Sequence, residues 1–173
     1  MDPVLQRLQK EIEAAIAELS SAELSPHPPG RWSANEVFEH LYLTYTGTVK
    51  GFERAAAAGQ PPATRQSWAQ RGRALVVLGF GYMPPGRKSP AVALPRGLSP
   101  EQVRSGIAAK IMEMDKSIAR CEEKFGMRRK LLDHPILGSL SGAEWRKFHL
   151  VHGLHHVKRL RRLRNLTAPL KRN

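Results

Sequence analysis

Four of the chain's seven histidines, His149, His152, His155 and His156, fall in one short stretch near its C-terminal end. If that stretch is helical, each residue advances about 100° and the ring directions can be compared. With Phe148 at zero, His152 lies at about 40°, His156 at about 80° and His149 at about 100°. Leu160 and Leu163 share that sector, so His152 and His156 occupy a face also used by core residues. His155 lies at about 340°, among Lys158, Arg159 and Arg162, on a basic side. The i, i+4 spacing of His152 and His156 stacks two imidazoles roughly 5–6 Å apart at Cβ. Their ring nitrogens can then converge on one divalent ion at about 2.0–2.1 Å each. A third ligand has to come from another helix.

His40 is the only histidine inside any of the other three long helices drawn below. It sits at the edge of a stripe formed by Val37, Leu41, Thr44, Thr48 and Phe52. Thr44 and Gly47 follow it one and two turns on, leaving small or polar lining. The same spacing also suits surface histidines or hydrogen-bonded packing histidines, and His149 is a reserve ligand should the last helix be rotated. His27 and His134 flank prolines in turns and read as structural. Glu36, four residues before His40, reads as a helix cap rather than a base, as does Glu144. Glu39 points elsewhere and is expected in solvent. Cys121, the single cysteine, has glutamates beside it and reads as structural rather than reactive. No Gly-rich phosphate loop, Ser/His/Asp arrangement or paired-carboxylate motif stands out.

The elements that must position these residues announce themselves by their starts. Asp2-Pro3 places an acidic cap before a proline at the first helical position. Ser33-Ala-Asn-Glu36, Ser99-Pro-Glu-Gln102 and Ser141-Gly-Ala-Glu144 each have the form of a capping box. Apolar residues at three- and four-residue spacing follow each, predicting helices over about 3–24, 33–58, 99–126 and 141–164. The proline-rich SPHPPGR separates the first two. The long connection from 59 to 98 allows a crossover and carries an extra short helix near 65–79, followed by an irregular Pro- and Gly-rich stretch. Strand signals are nearly absent. The expected architecture is all-α: a four-helix bundle over residues 1–165, with one elaborated crossover and a basic tail over 166–173.

A length of 173 residues, 41% hydrophobic and 25% charged, suits one soluble globular domain. No stretch matches a membrane span or a secretory leader, and one cysteine excludes a disulfide framework, so a cytoplasmic location is expected. The net charge of +13 is unevenly placed. Residues 1–60 carry −3 and 101–144 carry +1, whereas 61–100 carry +6 and 145–173 carry +9. The last basic run contains no aromatic base-reader, and cations also suit a helix C-terminus. A solvated tail is therefore expected, with no specific nucleic acid and no membrane as partner.

Two segments carry a resemblance. RWSANEVFEHL resembles the W-S-x-x-E-V-x-x-H-L opening of the second helix in the DinB-like metalloenzyme superfamily. HPILGSLSGAEWRKFHLVHGLHH resembles the last-helix segment of one bacterial branch, in which a His-Pro-x-x-Gly turn leads through Glu-Trp into a His-x-x-His-His helix. SPAVALPRG also suits that branch. The resemblance implies a four-helix bundle with a metal on three histidines, which here are His40, His152 and His156. Where the branch often has Gln after its His pair, this chain has Arg159.

Three neutral imidazoles on a divalent ion leave positions for water or substrate. Zinc, nickel, iron and manganese are all compatible with histidine. Some relatives in the superfamily use a low-molecular-weight thiol. The expected function is a metal-dependent enzyme that activates a thiol or water, a thiol transferase or hydrolase of a small molecule, with a homodimer compatible with the fold. The alternative is a non-catalytic, metal-stabilised bundle that binds a partner through its basic C-terminal segment.

Overall fold

The computed structural model describes residues 1–24, 26, 30–84 and 89–167. The predicted bundle is present: α1 (Pro3–Ala17), α3 (Ala34–Ala57), α5 (Pro100–Phe125) and α6 (Gly142–Thr167) are its long members. A short α2 (Ser21–Leu24) follows α1, and α4 (Trp68–Ala74) lies in the crossover. α3 packs chiefly on α5 and α1 chiefly on α6, and α5 also meets α1 and α6. Leu5, Leu8 and Ile12 of α1, Phe38, Leu41 and Phe52 of α3, and Ile107, Ile111 and Ile118 of α5 fill one continuous core. Burying each such side chain contributes about 1.5–3 kcal/mol.

The caps do what their spacing implies. Asp2 accepts from the Val4 N–H at 2.8 Å. Ser33 and Glu36 form the reciprocal capping box, as do Ser141 and Glu144. At Ser99 the serine's half forms, accepting from the Gln102 N–H at 3.2 Å. Ser67 and Gln70 make a further capping box that starts α4. The same Ser-x-x-Gln spacing marks this start in the sequence.

The first helix is shorter than the predicted 3–24. It ends at Ala17, and the chain restarts at α2 because Ser20 and Glu23 form a local pair in which the Ser20 N–H and hydroxyl both donate to the Glu23 carboxylate, at 2.9 and 2.7 Å. That competing bond offers the backbone an alternative to continuing the helix. Leu19, within the break, and Leu24, at the end of α2, are both buried. The extra helix begins at Trp68 rather than 65, and its last turn, Leu75–Gly79, is π-helical and packs on α6. The crossover then returns through a 3-10 turn, Ala91–Ala93, packed on α3. Of the expected tail, Leu166 and Thr167 still belong to α6, and the remainder lies outside the described residues.

A small antiparallel hairpin, β1 (Leu132–His134) and β2 (Gly138–Leu140), was not foreseen. Three-residue strands are too short to show a period of two. Its turn is closed by His134, whose Nδ1 accepts the N–H groups of Ile136 and Leu137 at 3.1 and 3.2 Å. Its β1 backbone supports α6, since the Trp145 indole N–H donates to the Leu132 carbonyl at 3.0 Å.

Two further contacts fix α6. Arg146 is buried and donates to Asp115 at 2.7 Å and to both oxygens of Glu122 at 2.9 and 2.8 Å. The Asp2 backbone N–H also donates to Asp115, at 2.7 Å, so one guanidinium joins α5, α6 and the start of α1. Removing one member of such a group strands the others as buried charges. Two turns further along α6, Gly153 lets the helix press onto α1: a Cβ there would meet Leu8 Cδ1 at 2.3 Å.

His134 generates a pH dependence. Burial lowers its pKa from 6.5 to about 4, because protonation would charge a buried ring and occupy the nitrogen that accepts both turn N–H groups. The contribution is therefore complete above pH 6.5 and is lost as pH falls towards 4. In His134→Asn the amide oxygen keeps an acceptor without titrating. Urea unfolding between pH 4 and 7 should show a shallower pH slope for the variant, by about 1.4 kcal/mol per pH unit inside that window. Parallel profiles would show that His134 titrates alike in both states.

Candidate metal centre

His40 is placed by α3, whose register is set two turns earlier by the Ser33–Glu36 capping box. It is buried rather than at the edge of the stripe. Its Nδ1–H donates to the Ala93 carbonyl at 2.8 Å, so its Nε2 carries the free lone pair. The Trp32 ring lies 5.2 Å from the His40 ring, centroid to centroid. His152 and His156 come from successive turns of α6, with ring centroids 4.7 Å apart.

The three rings aim the same atom at one place. His40 Nε2 lies 3.3 Å and His156 Nε2 3.1 Å from His152 Nε2. One ligand atom from each of the three lies within 4.8 Å of the others. Nitrogens held about 2.0–2.1 Å from a tetrahedral ion stand about 3.3 Å from each other, which matches these separations. The group could hold a metal ion. His40 alone is oriented by an outer hydrogen bond; Nδ1 of His152 and of His156 is buried without a partner among the described residues.

Electrostatics suits ligation. Burial lowers the His40 pKa, against the opposing pull of the Ala93 carbonyl. Burial, then the neighbouring His156 and His40, hold His152 well below its ordinary value. Burial, followed by His40, His155 and Arg159, brings His156 to about 3. All three are neutral near pH 7, the form in which imidazole donates to a metal.

The other candidates separate cleanly. His155 is half-buried and its ring lies 5.4 Å from that of His156, outside the converging group. His149 is fully buried, 3.1 Å from the Thr48 hydroxyl, and its ring stacks on Trp145 and meets Tyr45 edge-on. It packs the core behind the trio instead of replacing a ligand. His134 closes the hairpin turn, and His27 lies outside the described residues. Glu36 and Glu144 are occupied as caps, and Glu144 also holds Lys130. Cys121 is a buried neutral thiol: its Sγ donates to the Phe52 carbonyl at 3.3 Å, and burial raises its pKa.

Glu39 corrects the sequence reading. It points away from the trio, as its helical position implies, yet it is fully buried rather than solvated. Its carboxylate accepts the backbone N–H groups of Arg96 and Gly97 at 2.6 and 3.2 Å. The crossover passes there, three residues beyond the carbonyl that orients His40. The missed participants are thus Ala93, Arg96 and Gly97, which act through their backbones, and backbone groups leave no mark in residue type.

The trio opens into a cavity of about 1810 Å³. Val76, Val77 and Met83 of the crossover and Phe148 and Val151 of α6 supply apolar wall. The only carboxylate lining it among the described residues is Asp133, and that one accepts the N–H and hydroxyl of Thr64, at 3.0 and 2.7 Å. No helix among the described residues is long and apolar enough to cross a membrane.

A family model described as the DinB superfamily matches residues 5–160, a span that includes all three converging histidines. No match was found among curated proteins or among solved structures.

Glu39→Ala should loosen the crossover without dissolving the bundle. Two backbone N–H groups lose their acceptor, at a cost of about 1–3 kcal/mol. Hydrogen exchange at Arg96 and Gly97 should accelerate well before exchange in α5 changes. Uniform acceleration across the chain would mean that Glu39 is needed for the whole fold.

Proposed function

Because the chain belongs to the DinB superfamily, we propose that it is a metal-dependent enzyme that activates a small thiol at the His40, His152 and His156 centre. The observation that carries this reading is the position of the trio on the wall of a cavity large enough for a small molecule. Ligand cavities commonly occupy about 300–1,000 Å³, and this one has room to spare. A purely structural ion would be expected in a closed, four-ligand site.

A divalent ion there would supply Lewis acidity and favour the deprotonated form of a thiol or water. The protein's own part is to bind and to position. Ala93 fixes the His40 tautomer, α6 spaces His152 and His156 by one turn, and the apolar crossover wall screens the reacting end from bulk water. Thiol activation is preferred to hydrolysis because metal-assisted attack by water commonly employs a nearby carboxylate as base. Asp133, the only carboxylate among the described lining residues, is engaged by Thr64. Zinc, nickel, iron and manganese all suit the donor set. The competing reading, a non-catalytic bundle working through its basic C-terminal segment, leaves the open cavity without a role.

Cobalt substitution tests both the ligands and the thiol. Untagged protein loaded with Co²⁺ and titrated with a small thiol should develop sulfur-to-cobalt charge-transfer absorption. Alanine at His40, His152 or His156 removes one of three protein donors and should abolish the band and most of the bound metal. His155→Ala, the same loss of an imidazole outside the group, should keep both. Equal metal loss from His155→Ala would reject the trio. Full metal occupancy with no thiol band would favour the binding-module reading.

A further inference from the structure

The cavity is strongly one-sided in charge. Among the described residues, eight lysine and arginine side chains line it against the single carboxylate of Asp133. None of the eight lies in an ion pair with a carboxylate among the described residues, whereas two arginines outside the cavity do. Arg161 is shared between Glu11 and Glu18, and Arg146 between Asp115 and Glu122. A cleft with low-dielectric walls and charges of one sign focuses the field within it. Two of the cations stand near the trio. Arg31 precedes Trp32, whose ring packs against His40. Arg159 follows His152 by seven residues, so it lies on the same face of α6 two turns on.

We propose that this cavity binds a small organic anion, with its carboxylate or phosphate held by Arg31 and Arg159 and its apolar body against Val76, Val77 and Met83. The inference rests on reading the cavity as the substrate site and does not require a bound metal. Charge balance supports it further. Three neutral imidazoles bring no negative charge to a bound cation, so an anionic occupant would offset both that ion and the surrounding guanidinium groups. The apolar wall limits the class to anions with a hydrophobic portion, since a bare inorganic ion would leave that wall wet.

Calorimetric titration of the full chain, stripped of metal with a chelator, tests this with matched probes. These are 4-phenylbutyrate, phenyl phosphate and the neutral 4-phenylbutanamide. Both anions should bind, at least one of them about tenfold or more tighter than the amide, and the tighter anion assigns the head group as carboxylate or phosphate. The double variant Arg31→Gln/Arg159→Gln should bring anion and amide to near-equal affinity with an unchanged circular dichroism spectrum. Arg104→Gln/Arg129→Gln removes the same net charge at exposed positions outside the cavity lining, and should leave the preference intact. Equal affinities in the unmutated protein, or no binding of any probe, would overturn the proposal. So would equal losses in the two double variants, which would reduce the effect to general attraction by a basic protein. Because no metal is present, these outcomes are independent of the cobalt experiment. Loss of the thiol band would leave the anion preference standing, and the reverse also holds.

Discussion

The hydrogen bond from His40 Nδ1 to the Ala93 carbonyl is the constraint on which the site depends. It decides which nitrogen of His40 faces inward, and hence that all three rings present the same atom to one point. It also joins the bundle to the returning crossover. Glu39, the adjacent residue, holds the same segment a few residues further on by accepting two of its N–H groups. Neighbours on a helix point about 100° apart, so the crossover is gripped at two places by side chains leaving α3 in different directions. The long connection is therefore wall and outer support for the centre.

The packing explains why the centre is where it is. α3 is paired chiefly with α5, and α6 with α1. The two helices that carry the histidines meet each other far less than each meets its own partner. Between them the bundle opens, and the crossover, leaning on α6 through its π turn and on α3 through its 3-10 turn, closes part of the gap. The opening is tolerable because α6 is fastened elsewhere. Arg146 binds it to α5 and the N-terminus, and Trp145 to the hairpin. These fastenings lie at the start of α6, ahead of His152 and His156, so the first turns are anchored away from the trio.

Much of this was legible in residue types. Capping serines and glutamates fall at fixed spacing because they satisfy orphan backbone groups locally, so the starts of α3 and α6 could be placed to within a residue. Helical rotation placed His152 and His156 on one face and His155 off it, but left His149 on nearly the same bearing. What escaped has a common physical character. Ala93, Arg96 and Gly97 contribute backbone atoms, which every residue possesses. The burial of Glu39 depends on where a remote segment passes, and the hairpin on three-residue pairings with no period to detect. The end of α1 was different: Ser20 and Glu23 carry the signal that ends it, and it was outweighed by the apolar stripe that runs on to Leu19.

Gly153 has a wider consequence. It lies between His152 and His156, and a Cβ there would run into Leu8 and approach the Tyr45 hydroxyl at 3.2 Å. The depth at which His152 and His156 sit is thus set from behind, by the thickness of a leucine on a helix that contributes no donor. Such an arrangement ties two positions together in evolution. Any enlargement at residue 153 would have to wait for a smaller residue at position 8, and the intermediate step would itself leave a void. Drift at a residue remote from the trio would in this way shift both α6 rings together relative to His40, changing how the three nitrogens converge before any of the three side chains is exchanged.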